Sequence, residues 1–205
     1  MKTIFLSGAH GSGCSFIKSQ ATGVNVLSPD TGTCHESWSY TQTQNHDRII
    51  FFHHSDLDYI RSRYNPDITV WLQINPDNIE KLCQRIVVLD FLLVDGQTDW
   101  VWTLEKHNIL AGPDWPAYSS NIKDYPAWCL AELMQVAYDR SAPWMQANNN
   151  FDYVIDSDEL FGNSPPVTLK KFLTAINCKP NIDFLKTWQQ KNESIYQENK
   201  HYFKL

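Results

Sequence analysis

The chain has no pair of cysteines at metal-binding or redox spacing; its five, Cys14, Cys34, Cys83, Cys129 and Cys178, are odd in number and widely scattered. That pattern excludes a disulfide framework and a cysteine-based zinc site, and it implies free thiols in a reducing compartment. Long apolar runs are also missing. The longest, Ile86 to Val94, is interrupted by Asp90 and is too short to cross a bilayer. The apolar residues before Ser7 and Gly8 are too few for a secretory leader, so a cytoplasmic setting with no membrane partner is expected. Positive charge is in deficit, 17 Lys+Arg against 23 Asp+Glu. A chain of that balance is not built to follow a nucleic-acid backbone. Glycine is scarce, with eight residues, yet Gly8, Gly11 and Gly13 crowd one short segment.

What is present suits a packed α/β domain. Hydrophobic residues make up 42% of the 205 and charged residues 20%, enough apolar surface for a real core. Thr3 to Leu6, Val24 to Leu27, Arg48 to Phe52, Ile68 to Ile74 and Tyr153 to Ile155 read as short strands. Helices are expected from Ser15, from Ser55-Asp56 to about Asn65-Pro66, and from Asn75-Pro76-Asp77 through Ile79, Leu82, Cys83, Ile86 and Leu93. Others are expected from Asp124-Pro126 to about Tyr138, at 167–177 and at 182–200. Residues 31–47 read as loop, and 96–122 as an irregular stretch rich in tryptophan. Strands alternating with helices predict one domain over 1–205. It has a mostly parallel sheet with helices on both faces, and a helical, aromatic lobe at 96–150. Ligands of such sheets bind outside the carboxyl ends of the strands.

The segment Gly8-Ala9-His10-Gly11-Ser12-Gly13-Cys14-Ser15 follows the first strand and opens the first helix. Glycines there let the backbone take positive φ and approach a ligand closely. Backbone N–H groups of such a loop and of the following helix converge on an anion. The candidate anion-binding residues are therefore Gly8, His10, Gly11, Ser12, Gly13, Cys14 and Ser15. Cys14 occupies the position of the lysine in the GxxxxGK[ST] phosphate loop, while Ser15 keeps the hydroxyl. His10 is the one residue of the loop that can carry positive charge. Cys14 reads either as a small filler or as a thiol activated by the helix N-terminus.

These features make the chain resemble the P-loop sulfotransferases. The family's loop is similar to Gly11-Ser12-Gly13-Cys14-Ser15, and its strand ending in Lys-Thr-His resembles Ile49 to His54 followed by Ser55-Asp56-Leu57. Its apolar strand ending in Arg-Asn/Asp-Pro resembles Val70 to Pro76, and its C-terminal strand, acidic turn and Phe-Leu helix resemble Tyr153 to Leu160 and Lys171-Phe172-Leu173. The sequence departs from the family at three donor-binding positions, where it has Gly11, Ile74 and Leu82.

The resemblance implies transfer of a sulfuryl group from a 3′-phosphoadenosine 5′-phosphosulfate-type donor to the hydroxyl of an acceptor, without a metal. His54, or its neighbour His53, would be the general base, a role that suits an imidazole pKa. Two other readings stay open: a non-catalytic P-loop-fold interaction or structural protein, and a nucleotide phosphotransferase. For the latter, Leu92-Leu93-Val94-Asp95 would be the magnesium-binding strand, although helical spacing from Ile79 argues against it. The tryptophans from Trp100 to Trp128 read as packing or as the lining of an acceptor pocket.

Overall fold

A computed structural model describes residues 1–9, 11–23, 41–52, 54–88, 121–162 and 164–203. The expected strand at Val24 to Leu27, His10, His53, the segment around Asp95 and most of the tryptophan-rich stretch lie outside them. Among the described residues, five strands form the sheet: β1 (Thr3–Ser7), β2 (Thr41–Gln42), β3 (Arg48–Phe52), β4 (Ile68–Gln73) and β5 (Tyr153–Asp156). Their order is β2-β3-β1-β4-β5. β3, β1, β4 and β5 run parallel, and the two-residue β2 pairs antiparallel on the edge of β3. The protein is therefore an α/β fold. β2 falls where the sequence reads as loop; a two-residue edge strand is too short to leave a periodic signal.

The helices are α1 (Cys14–Thr22), α2 (Leu57–Tyr64), α3 (Ile79–Ile86), α4 (Ala127–Ser141), α5 (Asp158–Phe161), α6 (Val167–Ala175) and α7 (Ile182–Asn199). Their starts are written in the sequence. Asp56 caps α2 by accepting from the N–H groups of Asp58 and Tyr59, and Asn181 caps α7 from Phe184. Asn75 accepts from Asp77 N–H and opens a 3-10 turn, Pro76–Asn78, that leads into α3. None of the described helices is long and apolar enough to cross a membrane.

Strand register divides the core into two faces, because successive side chains point to opposite sides. Phe5 and Ser7 pair with Thr69 and Trp71, and these four share one face. There Phe5 meets Tyr64 of α2, and Trp71 stacks on Trp144 in the 3-10 turn after α4. Ile4, Leu6, Val70, Leu72, Tyr153 and Ile155 share the other face, where Tyr153 meets Phe172 of α6. Phe16 of α1 stacks on Phe184 and Trp188 of α7. Ile4, Phe5, Leu6, Val70, Leu72 and Ile155 are fully buried. At about 25 cal/mol per Å² of apolar surface removed from water, this two-sided core is the main term holding the sheet.

A buried carboxylate fixes the start of α6. Glu159, 4% exposed, accepts from the N–H groups of Thr168 and Leu169, at 2.7 and 2.9 Å. It supplies from another element the cap that Pro166 cannot give. Glu159→Ala should therefore destabilise the protein by about 3 kcal/mol and Glu159→Gln by about half of that, since a hydrogen bond to a charged group contributes roughly 1.5–3 kcal/mol. Urea unfolding checks both values, and a cost for Glu159→Ala below about 0.5 kcal/mol would put the residue in the class of unimportant surface positions.

Candidate anion-binding site

The chain leaves β1 at the point where the sheet's strand order reverses: β3 lies on one side of β1, and β4 and β5 on the other. In open α/β sheets this reversal is where ligands bind, at the carboxyl edge. Gly8, Ala9 and Gly11 to Gly13 lie at that turn. Gly11 and Gly13 have φ of 72° and 96°, left-handed values that L side chains rarely adopt. A Cβ on Gly8 would lie 2.3 Å from Cys14 Sγ, and one on Gly13 would lie 2.8 Å from Leu160 Cδ1. The glycines thus serve backbone conformation and close approach to α5 and β4 as much as any ligand.

The expected fan of N–H groups from Gly11 to Ser15 is only partly there. Ser12 is fully buried; its N–H and its Oγ both turn inward onto the Ala9 carbonyl, at 3.1 and 2.6 Å. Ser12 thus staples the turn onto Ala9. Cys14 is also inward, 2% exposed, with Sγ 3.7 Å from Ser12 Oγ. Burial pushes its thiol up to about 12, with Ser12 opposing in part. Of the two readings of Cys14, the buried thiol fits the small filler. Here desolvation of the thiolate outweighs the helix N-terminus.

The donors that remain are main-chain groups of α1. Gly13 stands at the N-cap position with no side-chain cap, and the first intrahelical bond runs from Ile17 N–H to Gly13 O. The N–H groups of Cys14, Ser15 and Phe16 therefore have no intrahelical partner, as at every helix start. With the helix dipole behind them, such groups are suited to an anion.

On the far side of the loop stands Arg85, from α3. It is 6% exposed; its Nη1 donates to Gly11 O at 2.5 Å, and its Nε donates to Asn192 Oδ1 of α7. Its guanidinium lies 5.0 and 5.1 Å from the ring centres of Phe161 and Trp188. Ile74 and Leu82, the two positions the resemblance assigns to the donor's 3′-phosphate, border one cleft together with Lys81, Arg85, Phe161 and Tyr196. Its free volume of about 10 Å³ is room for one water. Lys81 is paired with Glu193 and also donates to Phe161 O at 3.3 Å; the ammonium holds the Glu193 carboxyl below its usual value. Sequence reading assigned Arg85 no place in the loop. The available signal was its position three residues after Leu82 on the apolar side of α3, which puts both on one helix face.

His54 follows the carboxyl end of β3. Its carbonyl accepts from Ser7 Oγ, which in turn accepts from Trp144 Nε1 at 3.1 Å. Its half-buried ring packs on Tyr59 of α2, with centroids 4.4 Å apart. It thus stands at the same edge of the sheet as the glycine loop, with its ring turned toward α2. In comparisons with known proteins, no family model matches the chain, and no curated protein or solved structure matches it.

Two outcomes follow from this geometry. Gly8→Ala should cost at least about 2 kcal/mol, the range of overpacked cores, and Cys14→Ala in the same chain should recover part of it, with a coupling of at least about 0.5 kcal/mol in a double-mutant cycle. Additive costs would mean that the two residues do not touch. The native Cys14 thiol should resist iodoacetamide at pH 8 and react only as the chain unfolds, read by mass spectrometry. Its folded value is raised above the ordinary 9.0. Its stabilising contribution is therefore complete below about pH 9 and is lost as the pH rises toward 12, because the unfolded thiol ionises first.

Proposed function

We propose that the protein is a P-loop-type, sulfotransferase-like transferase that binds an anionic nucleotide donor by its 5′ side. The observation that carries this reading is the uncapped start of α1, entered through two left-handed glycines at the reversal point of a parallel sheet. The N–H groups of Cys14, Ser15 and Phe16 would hold the phosphate or phosphosulfate group. The Ser15 hydroxyl would add one side-chain donor, and His54 would take the proton of an acceptor hydroxyl. No step of this transfer calls for a metal in the family the sequence resembles.

One observation favours a second reading, an anion-binding module without turnover. The Cys14 and Ser12 side chains point inward and the His54 ring is packed on Tyr59, so few side chains are left to act on a reacting group. A radiolabelled sulfuryl-transfer assay on the wild type and His54→Ala separates the two, since only the first reading gives turnover that the substitution removes.

Donor affinity follows from the cleft. Ile74 and Leu82 donate nothing from their side chains, and Arg85 and Lys81 are already engaged by Gly11, Asn192, Phe161 and Glu193. A 3′-phosphate therefore has no ready partner there. Losing one charge-assisted contact of roughly 1.5–3 kcal/mol weakens binding by at least about tenfold. By calorimetry, adenosine 3′,5′-bisphosphate should bind no more than a few-fold tighter than adenosine 5′-monophosphate. A preference of about a hundredfold would instead mean that Arg85 or Lys81 leaves its present partners for the 3′-phosphate. Stabilisation by ATP with magnesium alone, in a thermal-shift series, would favour a phosphotransferase.

A further inference from the structure

We propose that Arg85 is the positioning residue and the cation of the glycine-loop site, fixing the loop through Gly11 and setting its affinity for a tetrahedral oxyanion. The inference rests on the loop reading above, and deepens it. No cationic side chain of the loop's own stands among its described residues. The positive charge arrives from residue 85, across 74 positions of sequence, on the carbonyl of Gly11.

Three features give this contact more than a packing role. The guanidinium is almost wholly buried, so solvent and salt screen its field little. Burying a charge is costly, and an apolar side chain of similar volume often stabilises a core better. The Arg85 Nε is held by the amide of Asn192 on α7, which orients the guanidinium toward the loop. Finally, Gly11 O is a negative end of a dipole in a loop that must attract an anion. Donation from Nη1 occupies that oxygen, offsets its charge and fixes the peptide that leads to Gly13 and α1. Phe161 and Trp188 lock the planar group in place by covering it.

The test uses the full chain, pyrophosphate and sulfate as probes, and the variants Arg85→Met, Arg85→Lys and Asn192→Leu. Arg85→Met keeps the apolar stem and removes the charge. It should speed amide hydrogen exchange of Ser12 and Ile17, whose N–H groups are bonded to Ala9 and Gly13 at this turn, by at least about tenfold in the unliganded protein, with β4 still protected, and weaken pyrophosphate binding by a similar factor. The loss should be larger for pyrophosphate than for the less highly charged sulfate, a difference that a merely structural role would not produce. Arg85→Lys should restore much of the affinity but not the exchange protection, since an ammonium cannot span Gly11 and Asn192 together. If Arg85→Met does not fold, Arg85→Lys and Asn192→Leu decide: each should speed exchange of the Ser12 and Ile17 amides while keeping the charge.

Unchanged exchange and unchanged pyrophosphate affinity in these variants would overturn the role of Arg85 while leaving the loop reading intact. A wild-type protein that binds neither pyrophosphate nor sulfate would overturn the loop reading and the affinity part of this proposal. Accelerated exchange would then still establish Arg85 as the residue that holds the loop. A preference for sulfate over pyrophosphate, or the reverse, separates the two oxyanion chemistries.

Discussion

The chain turns from β1 into α1 in a space that admits no Cβ at residue 8 or residue 13. Everything around the site depends on that constraint. With Gly8 bare, Cys14 can lie against it and beside Leu72, which lets α1 start close over the sheet. With Gly13 bare and left-handed, Leu160 and Phe161 of α5 can close on the loop from the other side. Phe161 is then in place to cover Arg85, and Arg85 to reach Gly11. A methyl group at either glycine would separate layers that are each held by the next.

The backbone of this arrangement was legible in the sequence because its signals are local. The central strands are continuous apolar runs buried on both faces, and they were read within a residue or so of where they lie. Asp56, Asn75 and Asn181 cap helices through bonds to residues two or three positions on, which is the range over which a sequence can be read by eye. The glycine cluster announced a turn needing positive φ, and Gly11 and Gly13 have it.

The parts that sequence did not disclose are set by partners far along the chain. Ser12 and Cys14 look like ligand donors in a motif, yet each is drawn inward: Ser12 by the Ala9 carbonyl, Cys14 by the vacancy above Gly8. Nothing in a one-dimensional pattern distinguishes a serine that faces a phosphate from one that staples its own turn. Glu159 looks like part of an acidic turn and is instead the buried cap of a helix beginning eight residues later. The contacts of Arg85 span 74 and 107 positions, so its place against the loop could be known only once α3, α5 and α7 were assembled.

The electrostatic character of the site follows from these placements. A phosphate loop of the usual kind brings a lysine from within the loop, mobile at its tip and able to follow a reacting group. On the proposed reading the cation would be Arg85, buried, bonded to the Gly11 carbonyl and packed against two rings, and the donors would be N–H groups at the start of a short helix. Such an arrangement is fixed before a ligand arrives. It favours a compact negative charge that accepts several main-chain bonds over an extended one that needs side chains to wrap it. The neighbouring cleft agrees with this, since Ile74 and Leu82 border a space that holds about one water. On the proposed reading, the loop would hold one tetrahedral anion through main-chain shape, while Ile74 and Leu82 bring packing, not side-chain charge, to the place where a second anion would lie.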